Sequence, residues 1–250
     1  IKLSRRRCLV IGGLQVSMKT LFVVCQHGNE KLPMKVIGRR NLPYLLANKA
    51  AMRRGVRYIE TDLNRSFPGN KRGSYEERLA AKLINRLRAY GEVVDLHTAT
   101  CRPPLFAIIT RVSLGHIELV RKLGVEKLVY MGESIASGKA LIDHVECGVS
   151  IECGDERSRR TEKDLEGMID TFVRGRRMEE ELDVYEVYKI MRKTERLKKL
   201  PSDVKNFRRT VFGGEEFYPV LARERSYKGI LCLMAKRISL EELLMLKSVI

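Results

Sequence analysis

Short apolar segments recur along the first part of the chain, and they constrain its fold more than any other feature. Residues 21–25 (LFVVC) contain no charged side chain, which is typical of a strand buried on both faces of a sheet. Similar segments predict strands at residues 8–11, 92–97, 103–110 and 148–154. Such strands need helices on both faces, so the pattern favours an α/β layered sheet.

Two capping-box patterns predict the starts of amphipathic helices among these strands. Ser74 and Glu77 would begin the first helix, which has one continuous apolar stripe. Thr161 and Asp164 would begin the second. Its inward face would carry Leu165, Met168, Ile169, Phe172 and Val173. Helical periodicity also indicates a helix over residues 115–124.

The sequence changes character near residue 181. The segments after it are β-rich, contain Gly-Gly and Tyr-Lys-Gly turns, and show no clear amphipathic helix until the last residues. We therefore predict two domains: an α/β domain over residues 1–181 and a small β-rich domain over residues 182–250.

The charge balance restricts the partners of the chain. Among 250 residues, 48 Lys and Arg against 31 Asp and Glu give a formal net charge of +17. Such a charge fits a merely basic surface, nucleic-acid binding or the attraction of an anionic small substrate. The basic residues are spread along the chain, and aromatic residues are only 6% of it, so there is little material for base stacking. Nucleic acid is therefore a disfavoured partner.

Targeting and membrane signals are weak. No apolar segment reaches the roughly 18–20 residues of a membrane span, so we expect no membrane partner. The apolar segment after Arg7 is too short for a signal sequence. The six cysteines form no CxxC pair, and most lie in apolar segments, which fits a reducing compartment. We expect a soluble cytoplasmic protein; the sequence does not define its oligomeric state.

Three residues have the chemistry of a catalytic zinc site. His27 and Glu30 follow the strand at residues 21–25, and His97 ends the strand at residues 92–97. Two histidines and one glutamate are a standard ligand set for catalytic zinc. An HxxE pair is common by chance, and His97 alone would be an ordinary polar residue. Their position at the ends of buried strands favours a site, because sites in open α/β sheets gather there.

Glu152 lies between Ile151 and Cys153 in an otherwise apolar segment. A carboxylate in that position is costly unless it is paired or functional, and partial burial would raise its pKa and suit it to general-base catalysis. The simpler alternative is a carboxylate that flanks a strand. His116 and His144 lie in more polar segments, and we interpret them as ordinary surface residues.

The segment RYIETDLNRSFPG, residues 57–69, is the most specific stretch of the chain. It places Arg57, Asn64 and Arg65 in one short loop-like region. Guanidinium groups bind carboxylates in a bidentate manner, and an amide side chain completes such a cradle. A turn with surface arginines remains the alternative on composition alone.

Five segments resemble the succinylglutamate desuccinylase/aspartoacylase family in order and rough spacing: QHGNE, RYIETDLNRSFPG, GSYEERLA, VVDLHT and IECG. The resemblance covers most of residues 20–155. It is weaker in the tail, where YPVLARERSYKG is similar to the family's small C-terminal β domain. Because the family is related in fold to the zinc carboxypeptidases, the resemblance implies a three-layer α/β/α domain with a mixed sheet, followed by that small domain.

The resemblance also implies a role for each candidate residue. One Zn²⁺ per chain would be held by His27, Glu30 and His97. Glu152 would be the general base. Asp95, two residues before His97, would orient a ligand or serve a purely structural role.

On the substrate side, the resemblance implies that Arg57 polarises the scissile carbonyl. Asn64 and Arg65 would hold a substrate carboxylate. Tyr227 would contact the substrate from the C-terminal domain, and the nearby Tyr218 is the alternative for that role.

One departure from the family concerns the substrate. Aspartoacylases carry a further carboxylate-binding arginine upstream of the catalytic glutamate, and here Ile142 occupies that position. The substrate would then carry one carboxylate fewer than N-acetylaspartate, or bind it differently.

The resulting hypothesis is a zinc-dependent amidohydrolase that removes the acyl group from a small anionic N-acyl amino acid. One alternative is a carboxypeptidase- or esterase-like deacylase that uses the same site. The others are a basic nucleic-acid-binding protein and a catalytically inactive protein that binds metal.

Overall fold

The computed structural model of the protein describes residues 9–11, 14–16, 20–132 and 138–246. The described strands are β1 (Leu9–Ile11), β2 (Leu14–Val16), β3 (Thr20–Val24), β4 (Tyr44–Leu46), β5 (Glu92–Ala99), β6 (Phe106–Ile109), β7 (Lys127–Tyr130), β8 (Cys147–Asp155), β9 (Asp183–Arg192), β10 (Thr210–Phe212), β11 (Glu215–Val220) and β12 (Ile230–Ile238). The helices are α1 (Leu32–Arg39), α2 (Lys49–Arg54), α3 (Tyr75–Leu87), α4 (Leu114–Leu123), α5 (Arg159–Val173) and α6 (Leu240–Met245), with 3₁₀ turns at Leu63–Arg65 and Leu141–His144. Within the described ranges, no helix is long and apolar enough to cross a bilayer.

Ten strands form one mixed sheet in the order β10-β11-β12-β9-β7-β6-β8-β5-β3-β4. Strands β4, β3, β5 and β8 are parallel neighbours, whereas β6 runs antiparallel to β8. Strand β1 lies outside this sheet, because β2 follows closely and pairs with it in an antiparallel manner. The strand predicted at residues 8–11 therefore exists over Leu9–Ile11, but its predicted place in the buried sheet is wrong; Cys8 lies outside the described residues.

Side chains of the sheet alternate between two apolar cores. In β3, Leu21 and Val23 pack into a core that contains Ile84 of α3, whereas Phe22 and Val24 pack into a second core. Buried residues of α1, α4 and α5 complete the second core. Because helices cover both faces of a mixed sheet, the predicted three-layer α/β/α architecture is confirmed.

The two capping predictions have different outcomes. At α3, Ser74 and Glu77 form the complete capping box, as predicted. The predicted start of α5 is wrong: Ser158 is the N-cap residue and its hydroxyl accepts a hydrogen bond from the backbone N–H of Arg160. Thr161 is buried within the first turn instead. Both residue types cap helices well, so the type alone did not distinguish the two positions.

The described chain after residue 181 contains four strands and one short helix, so it is β-rich, as expected for this part of the sequence. Strand β9 pairs with β7 in a parallel register, so β9 to β12 extend the central sheet. These strands also contribute to a small third core. That core contains Leu200, Val204, Phe217, Ala222, Leu231, Cys232 and Met234. The division into domains at residue 181 stays a prediction.

Candidate metal centre and catalytic cavity

The carboxyl ends of three parallel strands bring the predicted metal ligands and the predicted base together. His27 follows β3, His97 lies near the end of β5, and Glu152 in β8 pairs with His97 in the sheet register. The turn after β3 passes close to α2, where a Cβ at Gly28 would lie 2.1 Å from the carbonyl carbon of Ala51. Only glycine fits this approach, which directs His27 and the following residues toward β5.

The three predicted ligands form one compact, buried cluster. Nδ1 of His27 lies 2.7 Å from Oε1 of Glu30, and Nδ1 of His97 lies 3.0 Å from Oε2 of the same carboxylate. One ligand atom from each residue lies within 4.8 Å of the other two. Two imidazole nitrogens and a carboxylate oxygen at this spacing fit a zinc-type ion.

Two aspartates hold the other nitrogen of each imidazole. Nε2 of His27 lies 3.0 Å from Oδ1 of Asp62, and Nε2 of His97 lies 2.8 Å from Oδ2 of Asp95. Gln26 donates a short hydrogen bond to Asp95. Carboxylates in such positions fix the tautomer and orientation of metal-binding histidines. Asp95 was expected either to orient a ligand or to serve a structural role, and its contact with His97 fits the first alternative. The sequence reasoning missed Asp62, whose only signal was its place inside the cradle segment.

The electrostatics of the cluster favour a bound cation. Burial alone would lower the pKa of His27 and of His97, but the neighbouring carboxylates outweigh it and raise both pKa values. Burial would likewise raise the pKa of Glu30, yet the two imidazoles hold it well below its usual range. The carboxylates that raise the histidine pKa values create a negative potential at the cluster, and such a potential attracts a cation.

The predicted substrate cradle flanks the cluster. Nη2 of Arg57 lies 3.1 Å from Oδ2 of Asp62, and Nη1 lies 3.5 Å from Oε1 of Glu30. Asn64 accepts a hydrogen bond from the backbone N–H of Leu141 at 3.1 Å through its side-chain oxygen. Arg65 is exposed and bonds only the backbone oxygen of Asn64 among the described residues. Arg65 is therefore more available than Arg57 to bind an anionic group of a ligand.

A buried carboxylate, Glu76, fixes the backbone of this cradle through hydrogen bonds. It accepts hydrogen bonds from the backbone N–H groups of Ile59, Glu60 and Thr61 at 2.7, 3.0 and 3.0 Å, and from Nδ2 of Asn48 at 3.0 Å. Three consecutive N–H groups within the cradle segment, between Arg57 and Asn64, thus point at one carboxylate. The sequence reasoning missed Glu76, because a glutamate in the first turn of a helix is ordinarily explained by the helix dipole.

Glu152 and Tyr227 both line the cavity. Burial raises the pKa of Glu152 to about 7. Burial also raises the pKa of Tyr227, and the charge of Glu152 adds to that effect, so its hydroxyl stays protonated. Tyr218 lies in β11 with its ring 5.5 Å from that of Tyr185, and it does not line the cavity. The structure thus brings Tyr227 to the site, and its role in catalysis stays a prediction.

A third residue missed in the sequence, Glu224, joins the C-terminal segment to the end of β5. Its carboxylate accepts hydrogen bonds from the backbone N–H groups of Thr100 at 2.7 Å and Cys101 at 3.2 Å, and from the hydroxyl of Ser226 at 2.6 Å. Burial opposes ionisation, but these donors lower the pKa of Glu224. The segment that carries Tyr227 is thereby fixed against the sheet.

All residues predicted for the site line one cavity with an empty volume of about 330 Å³. They are His27, Glu30, Arg57, Asn64, Arg65, His97, Glu152 and Tyr227. The remaining wall consists of Thr98, Ala99, Leu221, Glu224 and Ser226.

The other two histidines and Ile142 lie away from this cavity. His116 is buried in α4 with Nδ1 2.6 Å from the hydroxyl of Ser113, so its predicted surface position is wrong. Its segment is polar in sequence, but the residue occupies the inward face of the helix, and burial lowers its pKa to about 4. Nε2 of His144 lies 2.9 Å from the backbone oxygen of Gly138. Ile142 is buried and brings no charge to the site.

The fold and this cluster define an α/β protein with a candidate His/Glu/His metal centre at the carboxyl ends of parallel strands in a mixed sheet. The family model described as "Succinylglutamate desuccinylase/Aspartoacylase catalytic domain" matches residues 19–174. The chain therefore belongs to this family.

Individual relatives agree with this assignment. A succinylglutamate desuccinylase of Pseudomonas syringae pv. tomato is 36% identical over 95 residues, which cover 29% of this chain and 28% of that protein. A probable aspartoacylase of Prochlorococcus marinus (strain MIT 9215) is 26% identical over 162 residues, which cover 54% of each chain. The chain thus matches about half or less of the length of these curated relatives.

Solved structures share the fold over more of their length. Murine aminoacylase 3 aligns with a TM-score of 0.66 at 19% identity, covering 94% of this chain and 97% of that chain. The succinylglutamate desuccinylase of Chromobacterium violaceum aligns with a TM-score of 0.65 at 20% identity, covering 88% and 85%. At such identities these similarities show the fold alone.

Proposed function

We propose that the protein hydrolyses the amide bond of an N-acyl amino acid with the help of a bound Zn²⁺. The observation that carries this proposal is the convergence of His27, Glu30 and His97 in one cavity with Glu152, a buried carboxyl group with a pKa of about 7. Membership of the family and the names of the relatives, desuccinylase and aspartoacylase, support the same reaction class.

The ion would be held by His27, Glu30 and His97, and Asp62 and Asp95 would fix the two imidazoles. Zinc in such a site supplies Lewis-acid activation of water and of a carbonyl oxygen. The histidine nitrogens that face Glu30 are the Nδ1 atoms, which leaves the Nε2 atoms for the aspartates.

Glu152 would take a proton from the attacking water and return it to the leaving nitrogen. A general base works best when its pKa lies near the working pH, and burial gives Glu152 that property. Because the same carboxyl group receives and then delivers the proton, no further acid is needed to complete the cleavage.

Charge that develops on the scissile carbonyl oxygen would be stabilised by Arg57, which lies between Asp62 and the metal cluster. Arg65 is the exposed cation of the cradle and would bind the substrate carboxylate, with Asn64 beside it. Tyr227, which lines the same cavity, would donate a hydrogen bond to the substrate. The substrate would therefore be a small anionic N-acyl amino acid.

The reaction class is tested by metal analysis and a substrate panel. The purified protein should contain about one zinc ion per chain and should release the acid from N-acetyl and N-succinyl amino acids faster than it cleaves dipeptides or simple esters. The variant His27→Ala should lose both zinc and activity. The matched control His144→Ala removes a histidine outside the cavity and should keep both. Activity without zinc, or preference for dipeptides, would contradict the proposal.

The proposed location is the cytoplasm. The described cysteines Cys25, Cys101, Cys147, Cys153 and Cys232 are all buried and unpaired. Free thiols persist in reducing compartments, which supports this location. Freshly lysed cells can be treated with a thiol-alkylating reagent under denaturing conditions, and mass analysis of the protein should show these five cysteines alkylated; disulfide bonds among them would contradict the proposed location.

A further inference from the structure

A second and larger cavity lies beside the catalytic cavity. Its empty volume, including the opening to solvent, is about 1810 Å³. Three parts of the chain form it: residues 100–104 after β5, residues 155–164 at the start of α5, and the C-terminal segments 204–208 and 222–225. We call it the basic groove. The hydrogen bonds from Thr100 to the Glu224 carboxylate lie between the groove and the catalytic cavity, so the two are separate sites.

Each of the three parts contributes positive charge. The cations of the basic groove are Arg102, Arg160, Lys205, Arg208, Arg223 and Arg225, against two acids, Asp155 and Asp164. This ratio of six to two exceeds the chain's overall ratio of 48 to 31, so the groove concentrates a charge that is otherwise spread over the surface.

Two of these cations have only weak ion pairs, and three more have no side-chain partner among the described residues. Arg102 lies 3.4 Å from Asp155 and Arg160 lies 3.5 Å from Asp164, and the two arginine side chains are 86% and 83% exposed. Such long, exposed pairs contribute little and exchange readily for another anion. Within the described chain, the side chains of Lys205, Arg208 and Arg225 have no hydrogen bond or ion pair.

Arg223 has a different task. Its guanidinium donates hydrogen bonds to the backbone oxygens of Val204 and Pro201. It therefore joins the two C-terminal segments of the wall and keeps Lys205 and Arg208 beside Arg225. The backbone of these two segments is therefore fixed, while the side chains of Lys205, Arg208 and Arg225 are available to bind a ligand.

The residue types indicate the class of ligand. Five of the six cations are arginines, whose planar guanidinium binds phosphate in a bidentate manner. The described residues that line the groove include no aromatic side chain, so bases would find no stacking surface. We propose that the basic groove binds a small ligand that carries several phosphate groups and is recognised through those groups. This site does not depend on the proposed hydrolase activity.

Titration calorimetry with inorganic tripolyphosphate tests the proposal. The test variant combines Arg208→Ala with Arg225→Ala, two exposed residues whose side chains have no hydrogen bond or ion pair among the described residues. The matched control combines Lys82→Ala with Arg86→Ala on the exposed face of α3, which removes the same charge from a helix that does not line the groove. Tripolyphosphate should bind the wild-type protein saturably, the test variant at least about tenfold more weakly, and the control within about twofold of the wild type.

Three results would overturn the proposal. Equal weakening in the test and control variants would show that net charge alone causes binding. Equally tight binding of citrate would show that the groove does not distinguish phosphate from carboxylate. Displacement of tripolyphosphate by a duplex oligonucleotide that binds more tightly would make the ligand a nucleic acid. Zinc content and deacylase activity should be unchanged in both variants, so a failed binding test is distinguishable from a failed hydrolase proposal.

Discussion

The candidate metal centre and the basic groove are both rich in charged residues, yet they are built in opposite ways. In the metal centre, Glu30 contacts both imidazoles and accepts a hydrogen bond from Thr98, all within a buried cluster. In the groove, Arg102 has a single long contact and is almost fully exposed. A buried charge is costly without partners, so its partners fix its position, whereas an exposed charge needs none. The metal centre is therefore preorganised, and the groove can adapt to its ligand.

The largest effect is expected in the catalytic cavity, from the substitution Glu152→Gln. The amide has the same shape but cannot accept the proton from water, so kcat should fall by roughly 10²–10⁴-fold. Metal content should remain that of the wild type, because the proposed ligands are His27, Glu30 and His97. Steady-state kinetics and zinc analysis on the same preparation check both expectations. Retention of full activity would remove Glu152 from the proposed mechanism.

A smaller, graded change in kcat/KM is expected when the pH is varied. Burial raises the pKa of Glu152 to about 7, and the base must be ionised to act. Its ionised fraction therefore falls as the pH decreases below 7, and kcat/KM should fall about tenfold per pH unit on that side. A profile from pH 5 to 9 measures this. A rate that stays flat from pH 5 to 7 would contradict the assignment of a raised pKa to the catalytic base.

The sequence was sufficient for the parts of the site whose chemistry is local. The pair His27 and Glu30, the strand end at His97 and the acid within an apolar strand were all visible as residue types at meaningful positions. It was insufficient for Glu76 and Glu224, whose partners are backbone N–H groups that come near only in the folded chain. Every residue except proline supplies such an N–H group, so the partners leave almost no residue-type signal.

The same reasoning explains the errors in the fold. Strand β1 has the composition of a buried strand, but pairing with the adjacent β2 decided its place. Ser158 and Thr161 are both good caps, and the position where the chain leaves β8 decided between them. In each case the deciding interaction is a tertiary or backbone contact that local propensity does not encode.

A moderate effect is expected from Glu76→Gln. The amide offers one acceptor oxygen and places an N–H₂ group against a backbone donor, so at least one N–H group of Ile59, Glu60 or Thr61 loses its partner. A buried unsatisfied donor costs about 1–3 kcal/mol. Urea unfolding should show this loss, and KM should rise because the cradle that carries Arg65 is less well fixed.

Glu77→Gln is the matched control for that substitution. Its side chain accepts one hydrogen bond, from the backbone N–H of Ser74, and glutamine serves the same purpose in a capping box. Stability and KM should remain close to the wild-type values. If the two variants behave alike, then Glu76 is an ordinary residue of the first helical turn, and the cradle does not depend on it.

The smallest effect is expected in the basic groove, from Arg102→Ala. The contact of Arg102 with Asp155 is a single interaction at 3.4 Å on the surface, and such pairs contribute about 0–1 kcal/mol. Urea unfolding at low and at high salt should therefore give nearly the same free energy for the variant and the wild type. Binding of tripolyphosphate, in contrast, should weaken, because the side chain is free to contact the ligand. If the substitution instead costs several kcal/mol of stability, the groove is as preorganised as the metal centre, and exposure alone does not separate the two sites.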